Sequence, residues 1–167
     1  MIEVYTDGAT SNNGYKNAIG GAAWIILQED VIINSGSKHI KNATNNICEL
    51  EAIIEGCKKA EELAILEQDG EFEFYETICV YSDSAYIINC YSQKWWVNWE
   101  KNGWINSKKQ PVANKELWES LIYYFKKPNF YFKKVTGHAG GRNNHEMWNE
   151  YVDNLARTAS KELSKRS

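Results

Sequence analysis

The sequence predicts an α/β domain: a mixed sheet with helices packed on it. Three observations predict it. Three strand-like segments follow one another at the N-terminus. Beyond them, helical and strand-like segments alternate. Two of the strands also run into echoing acidic motifs, Val4-Tyr5-Thr6-Asp7-Gly8 and Val80-Tyr81-Ser82-Asp83-Ser84. With 43% apolar and 25% charged side chains, residues 1–167 have the size and composition of one globular domain with a full core.

Residues 1–6 read as the first strand. Residues 20–28 and 31–38 read as the next two, joined by a tight Glu29-Asp30 turn. A helix is expected from Asn45 to about Leu66, with Thr44 or Asn45 as its N-cap, and Asp69-Gly70 interrupts it. Residues 77–82 form a short strand and 84–91 a short helix. Residues 94–112 read as an irregular, Trp-rich stretch. Residues 114–126 are helical, 130–135 a strand, and His145 to about Leu163 a last helix. No repeat, linker or low-complexity tract divides the chain.

Several classes are excluded early. No apolar run approaches the length of a membrane span. Met1-Ile2-Glu3-Val4 runs straight into a strand pattern, which leaves no room for a signal peptide. Cys48, Cys57, Cys79 and Cys90 form no Cys-x-x-Cys pair and fall in apolar segments. They read as reduced core residues of a cytoplasmic protein rather than zinc ligands. The net charge of −3 hides an uneven distribution. Residues 93–134 hold nine Lys and three Glu, a local +6, against −9 elsewhere. This is either a solvated lysine face or a polyanion surface beside an acidic centre.

The acidic motifs carry the chemistry. An Asp just past a strand end points into the crevice where α/β folds bind ligands. Asp7 and Asp83 on neighbouring strands would repel unless they shared a proton or a cation. A divalent metal site follows. On the first long helix, Ile47, Leu50, Ile53, Ile54, Cys57 and Ala60 form one stripe. Glu49 lies about 80° from its centre, on the flank. From spacing alone, Glu49 is either a ligand at the sheet's edge or a residue favoured by the helix dipole, with the second the better bet. The last helix is expected to pack through Met147, Trp148, Tyr151, Val152, Leu155 and Ala159. That puts Asn149 and Asp153 opposite, as surface residues. His138 stands on a loop of small residues leading to this acidic helix, a fitting place for proton transfer.

Taken together, these segments resemble the type 1 ribonuclease H family. The matching pieces are Tyr-Thr-Asp7-Gly8, Ala-Thr44-Asn45-Asn46-Ile-Cys-Glu49-Leu, Tyr-Ser-Asp83-Ser84, Trp99-Glu-Lys-Asn-Gly-Trp104, Asn114-Lys-Glu-Leu-Trp118, Gly137-His138-Ala-Gly and Asn149-Glu-Tyr-Val-Asp153-Asn-Leu-Ala. They occur in family order over nearly the whole chain. The resemblance implies a ribonuclease H-like fold, a five-stranded mixed sheet with helices on both faces. It implies an endonuclease that cleaves the RNA strand of RNA–DNA hybrids and leaves 5′-phosphate and 3′-hydroxyl ends. It places the metal-binding carboxylates on Asp7, Glu49, Asp83 and Asp153, which would hold two Mg²⁺ with Mn²⁺ as a possible substitute. His138 matches an assisting proton shuttle.

Substrate contacts are implied in the same way. Asn13, Gly14, Asn45 and Asn46 match positions that read 2′-hydroxyls and minor-groove edges. Thr44 and Asn114 match a pocket for a DNA-strand phosphate, and Trp95 and Trp99 a channel for deoxyribose. Gly8, Ser84 and Asn149 complete the expected contact set, while Trp104 and Trp118 are expected in the core. Ala85 stands where many relatives carry a larger side chain, and Asn42 where some carry a basic one. The loop from His138 to Asn149 is longer than in shorter relatives, which makes His145 a fallback for His138. The acidic stretch Glu67–Glu76 has no functional account. The chain is expected to lack an N-terminal hybrid-binding domain, to act as a monomer without an obligate protein partner or membrane, and to bind in a salt-sensitive, weakly processive way. The alternatives are an inactive hybrid-binding module on the same fold and a related superfamily nuclease acting on DNA. A small-molecule α/β enzyme would need a phosphate-cradling Gly loop, which Asp7-Gly8-Ala9-Thr10-Ser11 does not supply.

Overall fold

The computed structural model describes residues 1–11, 17–64, 68–69, 72–73, 75–135 and 144–162. The expectations for Asn13, Gly14 and His138 lie outside the described residues, as does much of 67–76. Strands β1 (Ile2–Ser11), β2 (Ile19–Gln28) and β3 (Val31–Lys41) form an antiparallel meander. Helix α1 (Asn45–Ala64) follows, then the two-residue strands β4 (Gln68–Asp69) and β5 (Phe72–Glu73), which pair with each other. Next come β6 (Ile78–Ser82), α2 (Ala85–Gln93), α3 (Trp95–Asn102), α4 (Lys115–Phe125), β7 (Phe130–Lys134) and α5 (Asn144–Glu162). The main sheet has the order β3-β2-β1-β6-β7, with β6 parallel to both β1 and β7. The expected five-stranded mixed sheet is therefore present.

Alternation along β1 divides the core. Ile2 and Val4 face Leu50, Ile53 and Cys57 of α1, together with the aromatic residues of α2 to α4. Tyr5 faces Val152 and Ala156 of α5 on the other side. The interior strand β2 is covered on both faces, so its Gly-Gly-Ala-Ala-Trp-Ile-Ile-Leu run reads as nearly continuous apolar sequence. Glu29 and Asp30 both adopt positive φ, 52° and 61°, the tight hairpin geometry their position predicts. Thr44 caps α1: its Oγ1 accepts a hydrogen bond from the Ile47 amide at 3.1 Å. All four cysteines are buried and free.

Three expectations need correction. β1 does not end before Asp7; it continues to Ser11, with Asp7 paired opposite Ala23. The following β2 supplies partners that a six-residue estimate ignored. Residues 94–112 are not wholly irregular, because α3 occupies Trp95–Asn102. Lys94 turns left-handed at φ 56° and ends α2, and Gly103 at φ 78° ends α3. Between them Trp96 and Trp99, three positions apart, bury one helical face. Finally, Met147 and Tyr151 are exposed rather than core residues. α5 packs through Val152, Ala156 and Ala159, with Trp148 and Leu155 at the margin. Removing the two exposed residues from the stripe moves its centre to Val152, so Asp153 lies only about 100° away, beside the sheet.

Candidate metal centre and nucleic-acid interface

The parallel register Tyr5↔Tyr81 places Asp7 and Asp83 at equivalent points on adjacent strands. β6 ends at Ser82, so Asp83 stands just beyond it and is exposed. Asp7, still inside the β1–β2 ladder, is only 3% exposed. Glu49 arrives from the first turns of α1. Gly8 makes that approach possible, since a Cβ there would lie 2.5 Å from the Cys48 carbonyl carbon and 2.6 Å from the Glu49 nitrogen. Ligand oxygens of Asp7, Glu49 and Asp83 all fall within 4.8 Å of one another. Asp153 approaches the Asp7 side of the cluster from α5, and its Oδ2 lies 2.7 Å from Arg157 Nη2.

This arrangement resists ionisation. Burial, then the neighbouring charge of Glu49, pushes the Asp7 carboxyl up to about 11. Burial and the charge of Asp83 push Glu49 up to about 8. Asp83, although its side chain reaches solvent, is raised as well, by partial desolvation among its neighbours and by Asp153. Oxygen Oε2 of Glu49 is buried without a hydrogen-bond partner among the described residues. An orphaned carboxylate oxygen within a cluster of acids is what a cation would satisfy, and an all-oxygen donor set suits a hard divalent ion.

The other expected site residues are spread around this centre. The Gly8 amide donates to Asp7 Oδ1 at 2.9 Å. Ser84 caps α2, its Oγ accepting from the Ile87 amide at 3.3 Å. Asn45 Oδ1 accepts a hydrogen bond from Thr10 Oγ1, and Asn46 is exposed at the start of α1. Asn149 lies half-buried one turn before Asp153. Asn114, left-handed at φ 61°, precedes α4. A groove of about 640 Å³ is lined in part by Tyr86, Trp95, Asn98, Trp99, Lys101 and Lys108. Trp95 is half-buried on its wall, and its Nε1 donates to Gln93 at 2.8 Å. Trp99 is 6% exposed and meets Trp118 edge-on at 5.3 Å, so it belongs to the core as well as to the groove. Trp118 packs in the core as expected, whereas Trp104 is half-buried against its edge.

Two features escaped the sequence argument. Arg157 pairs with Asp153, and the i,i+4 spacing of Asp153 and Arg157 was the available signal. His145, the fallback for His138, is instead engaged by Tyr5. Its Nδ1 shares a hydrogen bond with the Tyr5 hydroxyl, and its ring lies 4.8 Å from that of Tyr81. No periodicity links residues 5, 81 and 145.

Comparison with known proteins gives the family and the fold. The RNase H family model matches residues 1–161. A protein named ribonuclease H from Clostridium botulinum is 40% identical over 98% of this chain and 97% of its own length. Another ribonuclease H, from Syntrophomonas wolfei, is 41% identical over 97% of each chain. Among solved structures, the PFV RNase H domain superposes with a TM-score of 0.75 at 24% identity, covering 95% of this chain and 93% of that one. LC11-RNase H1, solved in complex with an RNA/DNA hybrid, gives 0.67 at 21% identity, covering 98% and 99%.

Proposed function

We propose, because this chain belongs to the RNase H family, that it is an endonuclease hydrolysing the RNA strand of RNA–DNA hybrids. The observation that carries the reading is the convergence of Asp7, Glu49 and Asp83 within 4.8 Å, with Asp153 beside Asp7. The names of its relatives and the hybrid bound to LC11-RNase H1 support the substrate.

The four carboxylates would hold two Mg²⁺, or Mn²⁺ in their place, which when bound supply an acidified water and neutralise charge on the scissile phosphate. Asp7 and Glu49 must release protons to serve as ligands, because both are protonated well above the ordinary carboxylate range. Arg157 holds one oxygen of Asp153. His138 assists proton transfer or product release, so its loss slows the reaction without ending it. Asn13, Gly14, Asn45, Asn46 and Asn149 read the RNA side with Gly8 and Ser84. The groove at Trp95 and Trp99, with Thr44 and Asn114, receives the DNA strand. Lys101 and Lys108 on that groove give the basic segment its purpose. The chain would work as a single catalytic domain, a monomer in the cytoplasm; among the described residues no helix is long and apolar enough to cross a membrane.

A strand-labelled substrate panel tests this. Cutting of the RNA strand in a hybrid, with 5′-phosphate and 3′-hydroxyl products and with double-stranded RNA and DNA left intact, is the expected result. Equal or better cutting of duplex DNA would assign the chain to a different nuclease activity on the same fold.

A further inference from the structure

The metal centre draws three carboxylates from β1, β6 and α1, which the sheet and the Gly8 contact hold together. The fourth, Asp153, rides on α5, and α5 meets the sheet mostly through small side chains. Its fully buried positions are Val152, Ala156 and Ala159, with Ser160 beside them. Under them lies Gly21 of β2, where a Cβ would come within 2.6 Å of the Ser160 nitrogen. The helix therefore sits close to the strand, but with few branched side chains to resist sliding along its own axis. Something else must set where Asp153 stops.

Two histidines tie α5 at its two ends. In the first turn, His145 shares a hydrogen bond through Nδ1 with the Tyr5 hydroxyl. Tyr5 is 1% exposed and stacks on Tyr81 at 4.7 Å, so this hydroxyl is fixed on the sheet. In the last turn, His39 of β3 donates from Nδ1 to the Ala159 carbonyl at 3.1 Å. Ala159 is among the last four residues of α5, whose carbonyls have no partner within the helix. His39 pairs with Gly21 in the β2–β3 ladder, so this tie leaves the sheet where the helix approaches it most closely. The two ties are about 21 Å apart along the helix axis. Asp153 lies between them, beyond His145 by about two turns.

We infer that His39 and His145 are positioning residues that fix the axial placement of α5, and through it the place of the Asp153 carboxylate at the metal centre. This rests on the metal site proposed above. A divalent ion such as Mg²⁺ demands ligand distances near 2.1 Å, so a shift of one helical step, about 1.5 Å, removes a ligand. Partners that orient a ligand from outside the coordination shell commonly change metal affinity by about 10- to 100-fold. The ties act through α5, and neither histidine is a ligand.

The test uses the full chain without nucleic acid. Mn²⁺ binding is measured by calorimetry for wild type, His145→Phe, His39→Phe and the conservative Tyr5→Phe, beside thermal unfolding in EDTA. Tyr5→Phe removes one oxygen and keeps the stacked ring, so it stands in if a histidine variant fails to fold. The expected result is that each variant binds Mn²⁺ about tenfold more weakly than wild type. In hybrid cleavage, kcat at limiting Mn²⁺ should fall and recover at excess Mn²⁺ with KM unchanged. Variants that lose thermal stability but bind Mn²⁺ within twofold of wild type would overturn the inference and leave the metal site standing. A wild type that binds no Mn²⁺ would overturn both.

Discussion

The carboxyl groups of Asp7 and Asp153 stand near enough to influence each other although they come from opposite ends of the chain, one from the first strand and one from the last helix. Burial and the neighbouring charge of Glu49 push Asp7 up to about 11, so the metal-free centre stores a proton. That stored proton links folding, cation binding and pH.

Stability of the metal-free protein should fall as pH rises. In the unfolded chain Asp7 and Glu49 ionise near 3.8 and 4.5, whereas in the fold they hold protons up to about 11 and about 8. The folded state then binds more protons than the unfolded state between those limits, and the slope of stability with pH is negative. Between pH 5 and pH 8 in EDTA, Tm should drop by roughly 3 °C or more, the equivalent of about 1 kcal/mol. Added Mg²⁺ should restore more at pH 8 than at pH 5, because a cation replaces the protons. A Tm that is flat or rising over this range would contradict the assignment.

Neutralising one ligand should stabilise the fold while ending the chemistry. Asp7→Asn keeps an oxygen able to accept from the Gly8 amide and removes the need to protonate a buried carboxylate on folding at pH 8. Urea unfolding in EDTA at pH 8 should show a gain of about 1 kcal/mol, with hybrid cleavage reduced to background. Loss of activity together with loss of stability would point to a structural role for Asp7.

Gly8→Ala should damage both properties. The new Cβ meets the Cys48–Glu49 backbone at 2.5–2.6 Å, where no flexible side-chain end can move aside. Overpacking of this kind costs about 3 kcal/mol, and α1 must withdraw with Glu49. Urea unfolding and Mn²⁺ calorimetry should both register the change.

Trp95 and Trp99 should part company. Trp99→Ala empties a core position and should cost about 3–5 kcal/mol of stability. Trp95→Ala trims a groove wall and should cost under about 1 kcal/mol while raising KM for the hybrid. Equal stability losses would place both rings in the core.

Much of this was legible in the sequence, and the failures have physical causes. The echoing Asp motifs located two of the clustered carboxylates because strand register preserves their equivalence. Glu49 alone looked like a residue favoured by the helix dipole, since its partner is the backbone of Gly8, and helical periodicity carries no information about a neighbouring strand. Asp153 reads as solvated in sequence because Met147 and Tyr151 shift the apparent apolar stripe away from it; hydrophobicity does not distinguish a buried side chain from an exposed one. The Trp-rich stretch looked irregular because left-handed Lys94 breaks the helical period between α2 and α3. The histidine ties join residues far apart in sequence and leave no local pattern at all.

The most direct measurement is cleavage of a hybrid labelled on its RNA strand by wild type and by Asp83→Asn, with Mg²⁺, then EDTA, then Mg²⁺ restored. The account predicts RNA-strand cleavage by wild type that stops with EDTA, returns with Mg²⁺ and is absent from Asp83→Asn. Cleavage that persists in EDTA, or that Asp83→Asn retains, would contradict an acidic metal centre as the source of the activity.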